Sequence, residues 1–289
     1  MNKITATMFI SVIVNTILSI IKIIFGLIFK CSSLIADGIH SFSDLTTDFI
    51  SIIGNKMSLK PADKEHPFGH GKIEYITSVI IGIFILVLGF SLIIETYNNE
   101  LVIPDLIVIL VSIFTIILKY VLSMFVYNRG IKYKNNILIA SGSESKTDVV
   151  SSIVVLISII LMQFSNKIYI LKYSDLLATI IIALFIIRTG YNILKDNLSM
   201  ILETQVEDEE YLEDIRKIIL SEEEIIKIRN LYILINGPYY KLISDVNMKD
   251  DITLRDAHDV IEKVECNLKS FDDKIKYIFI HMEPIDKED

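Results

Sequence analysis

Two stretches of the chain place ionisable side chains at helical spacing within otherwise apolar sequence. Asp37, His40, Asp44 and Asp48 follow one another at intervals of three, four and four residues. That spacing puts all four on one face of a helix. Glu144 and Asp148 stand four apart in a second such stretch. Charged groups inside a membrane span are costly and mark functional positions. His40 and Asp44 offer an imidazole nitrogen and a carboxylate, and Glu144 and Asp148 offer two carboxylates. Four such donors from two facing helices can enclose one divalent cation tetrahedrally. The competing reading is that these groups face a water-filled gap or cap helix ends near the membrane interface. Glu144, beside Ser141-Gly142-Ser143, is the most open to it. Asp37 and Asp48 read as structural or supporting members of the same stripe.

Two further groups lie outside the apolar stretches. Asp63, His66 and His70 fall in the polar segment from Pro61 to Lys72 and can ligate a second metal. A solvated loop with two surface histidines is the alternative. Near the C-terminus stand Asp245, His258, His281 and Glu283. All five histidines lie within four residues of an Asp or Glu, although acidic residues are abundant enough to make this weak evidence.

The elements that must position these residues are legible in hydropathy. The 289 residues are 52% hydrophobic with a mean hydropathy of +0.52, too apolar for an ordinary soluble domain. Charge is uneven: residues 1–202 carry a net +3 and residues 203–289 a net −11, which together make −8. A lipid-soluble front and an acidic soluble tail follow, and a disordered or collagen-like chain is excluded. The acidic tail argues against a nucleic-acid partner. Six stretches reach the length of a spanning helix, at about 6–29, 33–57, 75–95, 101–127, 136–164 and 173–195. Lys and Arg in the short loops number nine on one side and three on the other. This places the N-terminus, and hence the tail, inside the cell. Cys31 and Cys266 form no framework, so no disulfide scaffold is expected.

The tail alternates in pattern. Residues 207–220 have helical periodicity. Ile225–Ile235 and Tyr240–Met248 read as strands joined at Asn236-Gly237-Pro238. Thr253 can cap a helix running to about 270, and Lys274–Met282 closes as a strand. The fold class is therefore a six-helix transmembrane domain, residues 1–202, followed by a cytoplasmic α+β domain of αββαβ order, ferredoxin-like, residues 203–289.

The motifs Ala36-Asp37-Gly38-Ile39-His40 with Asp44, Lys60-Pro61-Ala62-Asp63 with His66-Pro67-Phe68-Gly69-His70-Gly71-Lys72, and Thr147-Asp148-Val149-Val150-Ser151-Ser152 resemble those of the cation diffusion facilitator family. The resemblance covers essentially the whole chain. It implies a homodimer in the cell (inner or plasma) membrane, with a transport site in each protomer between spans two and five. It implies also that the tail is a metal-sensing dimerisation domain. By the same resemblance Asp63, His66 and His70 match a loop site, and Asp245, His258, His281 and Glu283 fall where some members bind metal between tails. Many zinc-moving members carry His where this chain has Glu144, and some carry His at position 245. Both differences replace nitrogen by oxygen, which suits harder ions such as Mn²⁺ and Fe²⁺.

The expected function is secondary transport, not enzyme catalysis: export of Zn²⁺, Mn²⁺ or Fe²⁺ from the cytoplasm in exchange for protons, the metal being both substrate and regulator. No GxxxxGK[ST] phosphate loop and no HExxH motif is present, which disfavours a pump and a metalloprotease. A cation channel without proton coupling and a membrane-anchored metal sensor are the rivals. A channel needs a continuous polar pore, whereas the ionisable residues within the spans are expected to cluster in one pair of them.

Overall fold

A computed structural model of the chain describes residues 3–98, 102–133 and 136–285, without the side chains at 3–5, 46–56, 98, 136–137 and 140. Asp48 falls among the latter and lies outside the described residues. Six long helices come first: α1 (Lys3–Ile28), α2 (Ser32–Ser58), α3 (Ile73–Asn98), α4 (Leu106–Tyr133), α5 (Asn136–Gln163) and α6 (Ser174–Ile201). Among the described residues all but α2 are long and apolar enough to cross a membrane. At 27 residues α2 is long enough to span. Its lower apolarity reflects Asp37, His40 and Asp44.

The chain forms two compact units, Met1–Phe49 with Ile80–Ile193, and Ile50–Val79 with Leu194–Asp289. The first is turned inside out relative to a soluble protein. Phe9, Ile24, Phe84, Phe90, Phe114 and Phe185 are exposed, while Thr7, Ser19, Lys22, Thr115, Lys119, Ser123 and Ser152 are buried. An apolar exterior around a polar seam suits lipid as the surrounding solvent. The apolar core of this unit joins Leu34, Ile85, Ile159, Ile182 and Ile186. The α4–α5 packing is close because Gly142 lacks a side chain: a Cβ there would lie 2.6 Å from the Tyr127 amide nitrogen. That approach brings the polar faces of α4 and α5 into direct contact.

The second unit contains α7 (Glu209–Ile219), β1 (Ile225–Asn236), β2 (Tyr239–Met248), α8 (Leu254–Phe271) and β3 (Ile275–Pro284). Strand order is β1-β2-β3, antiparallel for β1–β2 and parallel for β2–β3. The order αββαβ is the expected one. Asp208 caps α7 by accepting from the Glu210 and Tyr211 amides, and Thr253 caps α8 by accepting from Asp256. The core consists of Leu212, Ile215 and Ile219 from α7, Ile233, Leu242 and Val246 from the sheet, and Val264 and Leu268 from α8. Each set recurs at the period of its element, which is why the pattern was readable. Gly237 turns the β1–β2 hairpin at φ 62° and packs against Gly71 so tightly that a Cβ on Gly71 would lie 2.3 Å from the Asn236 carbonyl oxygen.

Candidate metal centre

Helices α2 and α5 bring His40, Asp44 and Asp148 together. One ligating atom from each lies within 4.8 Å of the others. The His40 and Asp44 side chains are one turn apart on α2, with Nδ1 3.9 Å from the Asp44 carboxylate. Buried His40 Nδ1 makes no hydrogen bond among the described residues. A buried polar atom without a partner is costly, and here it is one of the atoms available to a cation. Asp44, Asp148 and Glu144 line one small cavity of about 30 Å³ with Asn15, Ser41, Lys119, Ser141 and Ser145. Such a space holds an ion or a water molecule or two. Glu144 shares the cavity but is exposed and lies outside the three-residue cluster.

Two lysines that the sequence reading passed over belong to this seam. Lys119 of α4 stands 3.0 Å from Asp148 Oδ2, with its side chain 4% exposed, and donates to Ser41 Oγ at 3.0 Å. Lys22 of α1 pairs with Asp37 Oδ2 at 2.8 Å and donates to Ser152 Oγ at 2.9 Å. The Ser152 hydroxyl in turn donates to Asp37 Oδ1 at 3.0 Å. Asp37 therefore forms part of a buried ring joining α1, α2 and α5, one turn from His40 and from Asp148. The polar residues of the membrane unit do not keep to spans two and five alone, because α1 and α4 each contribute a cation. The signal was present: each lysine is an isolated charge in an apolar stretch, the same criterion that singled out Asp44 and Asp148.

The loop between α2 and α3 gathers Asp63, His66 and His70 within the same mutual distance of 4.8 Å. Asp63 Oδ1 accepts from the backbone amides of Glu65 and His66. These bonds, the His66 amide foremost, hold the Asp63 carboxyl below the usual carboxylate range. His70 Nε2 lies 3.3 Å from Asp63 Oδ2, while its Nδ1 sits 3.2 Å from the Pro61 carbonyl oxygen. A proton on Nδ1 donated to that carbonyl leaves Nε2 as the free lone pair, the arrangement that orients a metal-binding imidazole.

The C-terminal residues behave differently. Asp245 and His281 are register partners across β2 and β3, and His281 Nε2 is 3.5 Å from Glu283 Oε1. Asp245 accepts from Asn230 Nδ2 at 2.8 Å, and Glu283 pairs with Arg229. His258 is exposed on α8. Among the described residues these four form no group of three ligating atoms within one chain.

Residues 8–202 match the family model described as the cation efflux transmembrane domain, and residues 207–285 match the cation efflux protein cytoplasmic domain. An uncharacterized transporter of Methanocaldococcus jannaschii is 29% identical over 290 residues, covering 99% of this chain and 100% of that protein. The manganese efflux system protein MneP of Bacillus subtilis is 27% identical over 287 residues, covering 96% and 95%. A cadmium, cobalt and zinc/H⁺–K⁺ antiporter of the same organism is 25% identical over 279 residues, covering 95% and 87%.

Proposed function

The chain belongs to the cation diffusion facilitator family of multi-pass membrane metal transporters, and on that footing we propose that it exports a divalent transition-metal ion from the cytoplasm in exchange for protons. The observation that carries this reading is the His40–Asp44–Asp148 cluster, built from two helices inside the membrane unit. One imidazole and two carboxylates bind a divalent ion only when deprotonated. Protons arriving from the opposite face compete for the same atoms and release the ion. Glu144, at the edge of the cavity, is the fourth ligand in this reading.

The oxygen-rich set favours Mn²⁺ and Fe²⁺ more than a histidine-rich one does, while Zn²⁺ keeps its higher intrinsic affinity. Relatives named for manganese efflux and for cadmium, cobalt and zinc antiport agree with a range that includes both kinds of ion. In this reading residues 1–202 are the transport domain and residues 203–289 a cytoplasmic metal-sensing dimerisation domain. The protein is a homodimer in the plasma membrane with both termini inside. The Asp63–His66–His70 loop cluster is a second, regulatory site. In the same reading Asp245, His258, His281 and Glu283 bind metal between two copies.

Proteoliposome flux with Zn²⁺, Mn²⁺, Fe²⁺, Co²⁺ and Cd²⁺, each with and without a pH gradient, tests the proposal. Saturable flux that rises with an opposing proton gradient is expected, and Asp44→Ala and Asp148→Ala should each abolish it. Flux that does not saturate and ignores the gradient would make the protein a channel. Full activity in either variant would remove that residue from the site.

A further inference from the structure

Lys119 has no part in the ligand set above, yet it lies closer to Asp148 than any ligand candidate is shown to be. It is the sole charged residue of α4 between Leu106 and Tyr127. Its ammonium bridges the same two helices that supply the ligands, with Asp148 of α5 on one side and Ser41 of α2, next to His40, on the other. Its charge also changes the electrostatics of the site. Asp44, Glu144 and Asp148 alone sum to −3 with His40 neutral, and Lys119 brings the total to −2. One divalent ion then brings the formal charge of the loaded site to zero, with exposed Glu144 at the rim screened by water and Lys119 balancing the buried carboxylates directly.

We propose that the Lys119 ammonium is a resident counter-cation of the transport site, seated on Asp148 when the site is empty and displaced when the divalent ion arrives. The proposal rests on the reading that His40, Asp44 and Asp148 hold the transported ion. A metal ligated by Asp148 would lie within about 4 Å of an ammonium left on that carboxylate, and the two positive charges repel strongly in a protein-like dielectric. The structure offers the ammonium another acceptor. Asn15 of α1 lines the same cavity, and its buried Oδ1 accepts no hydrogen bond among the described residues. Its Nδ2 is already committed to Ser11 Oγ, which leaves the carbonyl oxygen as the available atom. The ammonium thus has two seats, a carboxylate in the empty site and an amide oxygen in the loaded one. Affinity for the metal is set by the difference between them. Lys119 is on this view a specificity-determining and affinity-setting residue: it weakens binding enough for release and excludes a second cation.

The test uses the full-length protein in proteoliposomes, with Mn²⁺ and Zn²⁺ as probes and KM read separately from maximal rate. Lys119→Gln frees Asp148, so KM should fall by roughly tenfold while the maximal rate drops because release slows. Lys119→Met should do the same, which guards against an effect peculiar to the amide. Asn15→Leu removes the second seat and should raise KM several-fold. In the Lys119→Gln background Asn15→Leu should leave KM unmoved, because no ammonium remains to be received. A merely structural Lys119 would lower the maximal rate with KM unchanged or raised, and that result overturns the proposal. So does an Asn15→Leu effect that persists undiminished without the lysine. Asp148→Asn run in parallel separates the two levels. If it abolishes transport while Lys119→Gln leaves KM unchanged, only the counter-cation role fails. If Asp148→Asn transports normally, the site itself is wrong, and the counter-cation falls with it.

Discussion

Replacing Glu144 by His tests how the edge of the candidate site contributes to metal choice. Glu144 lines the cavity but is exposed, so its field on a bound ion acts through a nearly aqueous medium. For a carboxylate about 4 Å from a divalent ion at the dielectric of water, the attraction is about 2 kcal/mol. That corresponds to about thirtyfold in affinity, lost for every divalent ion alike. The imidazole gives back a nitrogen donor, which Zn²⁺ uses well and Mn²⁺ poorly. The KM for Mn²⁺ should therefore rise by up to about thirtyfold, while that for Zn²⁺ changes less. The Zn²⁺ to Mn²⁺ ratio of transport efficiencies should increase by about tenfold. The pH profile should change as well, since an unperturbed imidazole titrates near 6.5 and a carboxyl near 4.3. Competition flux assays on the two proteins side by side measure both quantities. A ratio and a pH profile that stay where they were would show that Glu144 does not meet the ion. A falling ratio would show that the charge argument has the wrong sign for this site.

Two further expectations concern the second unit. Lys72 Nζ lies 3.0 Å from Glu203 Oε1, and Lys241 lies 3.4 Å from the same oxygen. The hydrogen bond from Lys72 outweighs partial burial and holds the Glu203 carboxyl below its ordinary value. Its contribution is therefore complete above about pH 5 and lost as pH falls through the lowered value. Lys72→Glu should impair transport, and the exchange of Lys72→Glu with Glu203→Lys should restore part of it; equal impairment in both would count against the pair. Gly71→Ala should lower the stability of this unit by about 1–3 kcal/mol, because its methyl group would meet the Asn236 backbone and not a side chain able to turn aside. Thermal unfolding followed by circular dichroism would show it, and an unchanged midpoint would mean that loop and hairpin separate freely.

How much of the fold was legible depends on whether each element's period is stated by its own residues. The α8 face of Val260, Val264 and Leu268 and the strands flanking Gly237 satisfy their neighbours by simple repeats of four and of two. So αββαβ could be read directly. Glu203 is a different case. Its φ of 67° is a left-handed conformation in a residue that disfavours it. Nothing in Leu202-Glu203-Thr204 announces that backbone. It is tolerated where two lysines hold the side chain, an arrangement assembled from residues more than thirty positions away on either side.

The site shows the same division more sharply. His40 with Asp44 and Glu144 with Asp148 could be grouped because each pair lies one turn apart on a single helix. Lys119 and Lys22 stood as isolated charges, and only the antiparallel contact of α4 with α5 at Gly142, and the packing of α1 against α2, decides which carboxylates they meet. Charge in a membrane interior has to be balanced across helices, not along them, since an unpaired ion there costs more than any local repeat can repay. The cations of this unit therefore belong to the same electrostatic account as its anions. The two ion pairs lie one helical turn apart, Lys22 closing a ring with Asp37 and Ser152 while Lys119 takes Asp148. The first has every acceptor filled from within the ring and reads as fixed structure. The second stands beside an unsatisfied amide oxygen and an unsatisfied imidazole nitrogen in the same seam, and an ion pair so placed has somewhere else to go.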